Sequence, residues 1–179
     1  MIMEKLKMDE NIVKLGTYLN ITLPEHLKGN EKDRFIIDQI MKDSEARVSE
    51  NEISERAIGM LEQFDMQLSQ QGLSLAEYYA KRNTDEKKLF ASFRKHAERQ
   101  LKERKILFCI SRMEGIRADE EDFKACLERM NKLYPLSIEK LYTILNGKEK
   151  KRIMEEITLR KTLDFIADHS DNSHKIKIM

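Results

Sequence analysis

The sequence predicts an all-α protein: an elongated helical body with two helical-hairpin arms and a short extended N-terminal segment. Only six glycines and two prolines occur among the 179 residues, so few positions interrupt a helix. Charged residues make up 36 % of the chain, against about 25 % in a typical soluble domain, while the net charge is only +1. Charges of both signs therefore cover a large surface, which favours an extended helical protein over a compact one.

The run from Thr84 to Gly115 is the strongest support for this fold. It has no proline and no internal glycine, and predicts one helix roughly 45 Å long. We expect Thr84 to cap its start and Gly115 to end it. Residues 106–110 are apolar all round and should be buried, whereas residues 98–104 are charged on most sides and should be solvated. The apolar stripe consists of Phe90, Phe93, Ala97, Leu101 and Phe108.

Residues 1–29 are the least helical part of the chain. The run NIVKLGTYLNITLP contains β-branched and aromatic residues, an early Gly16 and a final Pro24, and predicts an extended stretch or a short hairpin. Because a lone hairpin is only marginally stable, this run should pack on the helices or pair with another chain. Asn30 is then expected to cap a short helix that ends near Ser44.

The first arm is predicted at about 49–115. Ser49 and Ser74 are each followed three residues later by Glu, which is the capping-box pattern at a helix start. The helix that begins after Ser49 should stop at Gly72, and a short helix should begin after Ser74. Short connections then make the first helix and the long helix antiparallel neighbours.

The second arm is predicted at about 119–168. Asp119 through Asp122 should cap its first helix, Ser137 should cap a short helix at the turn, and Asn146-Gly147 should precede the last helix. Its plan is therefore the same as that of the first arm.

The chain is accordingly expected to have three parts. These are an extended lead-in or linker at 1–29, a helical domain at 30–168, and a polar tail at 169–179 that should fray.

Four segments between residues 60 and 170 occur in a characteristic order. They are MLEQFDMQLSQQGLSLAEYYAK, AERQLKERKILFCISRMEGI, DEEDFKACLERM and LRKTLDFIADHS. Together they resemble the C-terminal domain of trigger factor, the bacterial chaperone that meets nascent chains at the ribosome. The details that carry the resemblance are QGLSL from Gln71, the basic run after Ala97, and the closing LDF from Leu163.

The chain departs from full trigger factor in two respects. The family's N-terminal ribosome-binding domain has a G-F-R-x-G-K loop, and no such motif occurs here. Its prolyl isomerase domain needs about a hundred residues, for which this chain has no room. We therefore expect a chaperone body alone, with no isomerase or other enzyme activity and no ribosome docking through that loop. Whether the ribosome is contacted by another route, or whether a separate chain supplies these domains, is left open.

The resemblance implies an ATP-independent holdase. In the family, two helical arms enclose a cradle that binds unfolded or nascent polypeptides through dispersed apolar patches. Methionine suits such surfaces because it is flexible and polarisable, and an exposed aromatic at an arm tip is a plausible contact. Tyr78 and Tyr79 cannot both face inward, so one should be exposed. Met60 and Met154 also lie on core stripes and could simply fill the core. The candidate client-binding residues are Met60, Phe64, Met66, Tyr78, Tyr79, Met130, Tyr134 and Leu136.

A second hypothesis is a helical interaction or regulatory module that binds one folded protein partner or RNA. Basic residues crowd the long helix, as an RNA-binding stripe would require. Glu98 and Glu103 interrupt this stripe, and a pair such as Glu98 with Lys102 indicates an ordinary solvated face. A homo-dimer, with the arms of one copy in the cradle of another, is a third possibility.

Other classes of function lack their motifs. The four histidines show no i,i+4 pair and predict no metal site, and no nucleophile triad, phosphate-binding loop or cofactor motif occurs. Cys109 and Cys126 have no metal-ligand spacing and are expected to be reduced thiols. Without an apolar signal segment or membrane span, the protein is expected in the cytoplasm.

Overall fold

A computed structural model describes residues 12–133 and 137–170. This part of the chain is mostly helical, with only two very short strands, which confirms the predicted all-α class. Its elements are β1 (Ile12–Lys14), α1 (Asn30–Asp43), β2 (Glu45–Ala46), α2 (Glu50–Gln70), α3 (Leu75–Arg82), α4 (Glu86–Met113), α5 (Glu120–Leu133), α6 (Ile138–Ile144) and α7 (Lys148–Asp168).

The chain divides into two compact units. One is formed by residues 46–105, and the other by the described residues on either side of that range. Helix α4 belongs to both, because its first twenty residues lie in the 46–105 unit and the rest lie in the other. The division of the chain into a lead-in at 1–29, a helical domain at 30–168 and a tail at 169–179 stays a prediction.

Four of the predicted helix starts are confirmed in atomic detail; at one of them, the start of α6, the Ser137 hydroxyl accepts from the Lys140 amide at 3.3 Å. The Ser49 hydroxyl accepts from the Glu52 amide at 3.2 Å, and the Glu52 carboxylate accepts from the Ser49 amide at 2.8 Å. The same reciprocal pair starts α3 at Ser74. Before α5, Asp119 and Asp122 each accept the other's backbone N–H at 3.0 Å. Each pair satisfies amide groups that a helix start leaves without a partner.

Two other predicted caps are wrong. Helix α4 begins at Glu86, and it is the Asp85 carboxylate, not Thr84, that accepts from the Lys88 amide at 2.8 Å. Helix α1 begins at Asn30 itself, so its cap position falls on Gly29, which has φ 52° and no side chain to bind an amide. The one-residue shift in each case decides which side chain lies at the cap.

Within residues 12–29, the part of the lead-in that the structure describes, the chain forms a strand but not a hairpin of its own. Strand β1 pairs with β2, which directly follows α1. Next to this pairing, the Gly16 amide donates to the Ser44 hydroxyl at 2.9 Å. A Cβ atom on Gly16 would lie 2.8 Å from Cβ of Asp43 and 3.0 Å from its carbonyl carbon. The lead-in can approach the end of α1 this closely because residue 16 is glycine.

The 46–105 unit has a small core between α2 and α4. Ile53, Ala57 and Ala97 are buried at its centre. The two alanines leave room for larger, half-buried side chains to pack around them, namely Val48, Met60, Phe90, Phe93 and Leu101.

The other unit has a core around Phe123. Phe123, Leu127 and Leu141 are buried together, with Met130, Leu145, Ile153 and Met154 packed against them. The predicted burial at the end of α4 is confirmed for Ile106, Leu107, Cys109 and Ile110, while Phe108 is half-buried.

The contact at Gly16 makes a testable prediction. Gly16→Ala should lower the free energy of unfolding by about 1–3 kcal/mol, because the new methyl group meets Cβ and the carbonyl carbon of Asp43, neither of which is the movable end of a side chain. Gly59→Ala is the control: its Cβ would meet nothing within 4 Å, and alanine should raise helix stability by up to about 1 kcal/mol. Urea denaturation of both variants measures the difference. A G16A protein as stable as the parent would contradict the contact.

Glu52 predicts an acid-sensitive step in unfolding. Hydrogen bonds from Lys105 and from Ser49 lower the pKa of Glu52 from 4.5 to about 2. A lowered folded-state pKa stabilises the fold fully above pH 4.5, and this contribution is lost as the pH falls toward 2. Glu52→Gln should flatten the loss of stability over this window. Glu55→Gln, an exposed carboxylate on the same helix, should leave the profile as it is. Thermal unfolding from pH 6 to pH 2 compares the three proteins, and equal profiles would contradict the assignment.

Candidate functional site

The clearest candidate in the 46–105 unit is an aromatic cluster where α2, α3 and α4 meet. The rings of Phe64 and Tyr78 pack edge to face with centroids 4.9 Å apart, and Phe93 lies 5.7 Å from Phe64. Tyr79 extends the cluster, 6.4 Å from Tyr78. Such aromatic pairs add about 0.5–1.5 kcal/mol beyond their buried area.

The turn after α2 places Tyr78 over Phe64. Gly72 has φ 72°, and the Leu73 amide donates to the Leu68 carbonyl at 2.9 Å, which closes α2 as a Schellman motif. The Ser74 capping box starts α3 immediately afterwards. The QGLSL run therefore reverses the chain within a few residues and brings α3 against α2.

A cleft of about 470 Å³ opens beside this cluster. Its apolar lining comes from Phe64, Leu68, Leu73 and Tyr78, and its polar lining from the amides of Gln67 and Gln71 and the cations of Lys81 and Arg82. An apolar floor with a few polar groups at the edge is the usual form of a binding cleft. We refer to it as the tip cleft.

The candidate residues of this unit are not equally exposed. Met66 is 58 % exposed, whereas Met60, Phe64, Tyr78 and Tyr79 are half-buried. Met60 packs against the small core, which favours its core-filling role. The expectation that one of the two tyrosines is exposed is wrong, because both are half-buried and Tyr78 lies against Phe64.

The other unit contains a groove of about 480 Å³ that the sequence analysis missed. We call it the α7 groove, since α7 supplies most of its lining. Its apolar lining is Cys126 from α5, Leu145 after α6, and Ile153 and Ile157 from α7; its charged lining is Glu149, Arg152, Glu156 and Arg160.

The α7 groove exists because α7 is apolar on more than one side. One face is buried through Leu159, Thr162, Ile166 and Ala167. Ile153 and Ile157 lie on another face and are only half-buried. The sequence signal that could have indicated this groove is the spread of apolar residues around α7. The same spread is typical of a fully buried helix, so it does not identify a groove by itself.

The remaining candidates belong to this unit. Met130 and Met154 pack against the Phe123 core, so a structural role is favoured for both. Tyr134 and Leu136 lie outside the described residues. None of the candidates that the structure describes lines the α7 groove.

A network of rings and charges lies where α5, α6 and α7 meet. The Tyr142 hydroxyl donates to Glu120 at 3.1 Å, and the Lys150 ammonium donates to the same carboxylate at 2.5 Å. Lys150 also lies 5.1 Å from the ring centroid of Phe123. The hydrogen bond to Glu120 raises the pKa of both Tyr142 and Lys150. Beside the network, Ile144 is 56 % exposed.

The charges of α4 form ion pairs, as the solvated-face interpretation predicts. Lys102 pairs with Glu98 at 2.6 Å, confirming the predicted i,i+4 contact, and Arg99 pairs with Glu103 at 2.6 Å. Arg94 pairs with Glu50 of α2. These partners reduce the net field of the basic stripe, although RNA binding itself stays a prediction that the geometry does not test.

Metal ligands and membrane spans were also sought in the described ranges. No group of three or more His, Cys, Asp or Glu side chains there could hold a metal ion. No helix there is long and apolar enough to cross a bilayer. Cys109 is buried, Cys126 is half-buried, and neither is in a disulfide.

Comparison with known proteins decides the family. Residues 25–168, most of the chain, match the family model described as the C-terminus of bacterial trigger factor protein. The chain belongs to the trigger factor family. The match falls on the same stretch in which the four resembling segments lie, so the resemblance is confirmed.

Curated relatives agree and show the extent of the match. The trigger factor of Alkaliphilus metalliredigens is 31 % identical over 164 residues, which is 90 % of this chain and 38 % of that protein. That of Alkaliphilus oremlandii is 34 % identical over 78 % of this chain and 33 % of its own length. That of Geobacillus sp. strain WCH70 is 30 % identical over 82 % of this chain and 35 % of its own. The chain thus spans little more than a third of these relatives, and no solved structure matches it.

The tip geometry predicts a graded response at Gly72. Gly72→Ala should cost about 1–2 kcal/mol, because an L-residue with a Cβ resists the left-handed conformation. Gly72→Asn should cost less, since asparagine adopts this conformation more readily and no atom lies within 4 Å of its Cβ. Urea midpoints measure both, and equal losses for Ala and Asn would contradict a backbone cause.

Proposed function

We propose that this protein is an ATP-independent chaperone of the holdase type, which binds unfolded or nascent polypeptides and prevents their aggregation. The observation that carries the proposal is the pair of apolar clefts, one in each unit, each bordered by charged residues. Membership of the trigger factor family supports it. The proposal places the protein in the bacterial cytoplasm, and contact with the ribosome is not part of it.

The mechanism rests on several weak contacts at once. Burying one large apolar side chain contributes about 1.5–3 kcal/mol, so a single cleft would bind a chain only weakly. An unfolded chain long enough to enter both clefts gains from effective concentration, which raises the overall affinity without any new contact. Because each contact is weak, the chain can also leave without ATP hydrolysis.

Particular side chains fit this role in the 46–105 unit. Phe64 and Tyr78 line the tip cleft, and Tyr79 extends the same aromatic cluster. Met66 is exposed and Ile58, on the same helix, is 48 % exposed. We propose these five as client contacts, with Met60 supporting them from the core.

The other unit offers the α7 groove and the exposed side chain of Ile144. Met130 packs against the Phe123 core, so in this proposal it supports the client-binding surface of this unit from the interior. Tyr134 and Leu136 remain predicted client contacts without a described position.

Removing apolar lining from both clefts should weaken the chaperone. A Leu73→Ser/Ile157→Ser double variant should suppress aggregation of a chemically denatured client at least twofold less per mole than the parent. Light scattering after dilution of the client measures this, with no nucleotide added. The matched control is Gln63→Ser/Lys151→Ser, two exposed polar positions outside both clefts.

Two further measurements make the test decisive. Circular dichroism checks that the variants fold. If the cleft variant does not fold, the Ile58→Ser/Met66→Ser variant replaces it in the aggregation assay, because both positions are exposed. A fivefold excess of the parent protein that leaves client aggregation unchanged would refute the holdase.

The salt dependence of binding distinguishes the holdase from the interaction-module hypothesis. Apolar contacts should persist in 0.5 M salt, whereas binding of RNA through the α4 cations should weaken steeply. Suppression that disappears in high salt, together with saturable binding to RNA or one folded protein, would favour the interaction-module hypothesis.

A further inference from the structure

The two cations at the edge of the tip cleft form no ion pair. Among the described residues, neither the Lys81 ammonium nor the Arg82 guanidinium is hydrogen-bonded to a carboxylate, and both side chains are exposed. Elsewhere in the same unit, Arg94, Lys102 and Lys105 each have a carboxylate partner. The described residues that line the cleft include no aspartate or glutamate. This edge therefore carries positive charge that the cleft itself does not neutralise.

The position of these cations in α3 has a second explanation, which is incomplete. Both lie in the last turn of α3, where positive charge interacts favourably with the carbonyl end of a helix. Glu77, one turn before Lys81, acts on it only through space, because the Glu77 carboxylate accepts from the amide and the hydroxyl of Ser74 at 2.8 Å each. A helix end accounts for two cations, but not for an apolar cleft beside them that lacks a carboxylate.

The rest of the lining suits a peptide. Phe64 and Tyr78 contribute to an apolar floor, and the volume of about 470 Å³ is within the usual range of ligand clefts. Gln67 and Gln71 are exposed and lie one turn apart at the end of α2. A side-chain amide both donates and accepts, so these two groups can bind the backbone N–H and C=O of any sequence.

We propose that the tip cleft prefers client segments in which large apolar side chains lie next to the carboxylate of an aspartate or glutamate. The apolar side chains lie on the floor of the cleft, and the carboxylate pairs with Lys81 or Arg82. The inference rests on the proposed chaperone function and names the class of segment that one of its two clefts selects. The α7 groove, lined by two glutamates and two arginines, has no such bias of sign.

The preference should be modest. Both cations are exposed, and an exposed ion pair changes an affinity only about twofold to fivefold. An acidic segment should therefore bind about fivefold more tightly than a neutral segment of the same shape, and a basic one should bind most weakly. A preference of this size biases where a client binds without restricting binding to one sequence.

The test compares three peptides that differ only in charge. They are GSLFDEGS, GSLFNQGS and GSLFKRGS, blocked at both ends and labelled with the same uncharged fluorophore. Fluorescence anisotropy is measured at low salt with the full chain at up to about 1 mM, where millimolar dissociation constants are measurable. The parent should bind the acidic peptide most tightly and the basic peptide least. In 0.5 M salt this difference should shrink, while binding of the neutral peptide should persist.

Charge reversal at the cleft gives a sharper result. Lys81→Glu/Arg82→Glu should reverse the order, so that the basic peptide binds most tightly and the acidic peptide least. A role confined to the end of α3 would lower helix stability without reversing this order. Since glutamate near a helix C-terminus is unfavourable, Lys81→Gln/Arg82→Gln is measured as well, and it should remove the preference without reversing it. Circular dichroism checks the fold of both variants.

The matched control is Lys87→Glu/Lys95→Glu. Both lysines are exposed, belong to α4 and lie outside the cleft lining. The control has the same net charge as the reversal variant, so a long-range effect of net charge would change both proteins equally. The order of the three peptides should remain that of the parent.

Three results would overturn the proposal. The first is a parent that binds the acidic peptide no more tightly than the neutral one, and the second is no measurable binding of the acidic peptide. The third is an equal change of order in the reversal variant and its control. A parent that suppresses aggregation but shows no preference among the peptides refutes only this inference. A parent that does not suppress aggregation refutes the holdase, so the two failures are distinguishable.

Discussion

The unbroken backbone of α4 is the constraint on which both units depend. This one helix buries Ala97 in the core of the 46–105 unit and buries Ile106 and Ile110 in the other unit. Ala97 is 0 % exposed, so a larger side chain there would have no space beside Ile53 and Ala57. A glycine or proline inside α4 would loosen contacts on both sides of the break. The ion pairs along its middle keep that stretch soluble without adding to either core.

The proposed activities use what the two cores leave uncovered. In each unit the helices pack tightly at one place and leave an apolar cleft at another, and charged residues border each cleft. Exposed methionine and isoleucine side chains add smaller apolar patches.

Most helix starts follow from hydrogen bonds between residues close together in the chain. The wrong predictions occur where two neighbouring residues suit the same position or where the partners are distant in the chain. The capping boxes at Ser49 and Ser74 were predictable because all their groups lie within four residues. The cap of α4 was misplaced because Thr84 and Asp85 both suit the position, and only the helix register chooses between them. The pairing of β1 with β2 was missed because about thirty residues separate them and β2 is only two residues long. Of the candidate site, the tip residues could be found from sequence, but the α7 groove could not.

By itself the sequence determined the helical class, most helix ends and the family, because hydrogen bonds of caps and turns join near neighbours. It also determined which side chains are apolar, and so which ones could form clefts. Only the tertiary structure decided which of them remain accessible, since burial depends on partners distant in the chain. Tyr78 is half-buried because Phe64 of another helix lies against it, and Ile157 stays beside a groove because α5 and α6 leave that face uncovered.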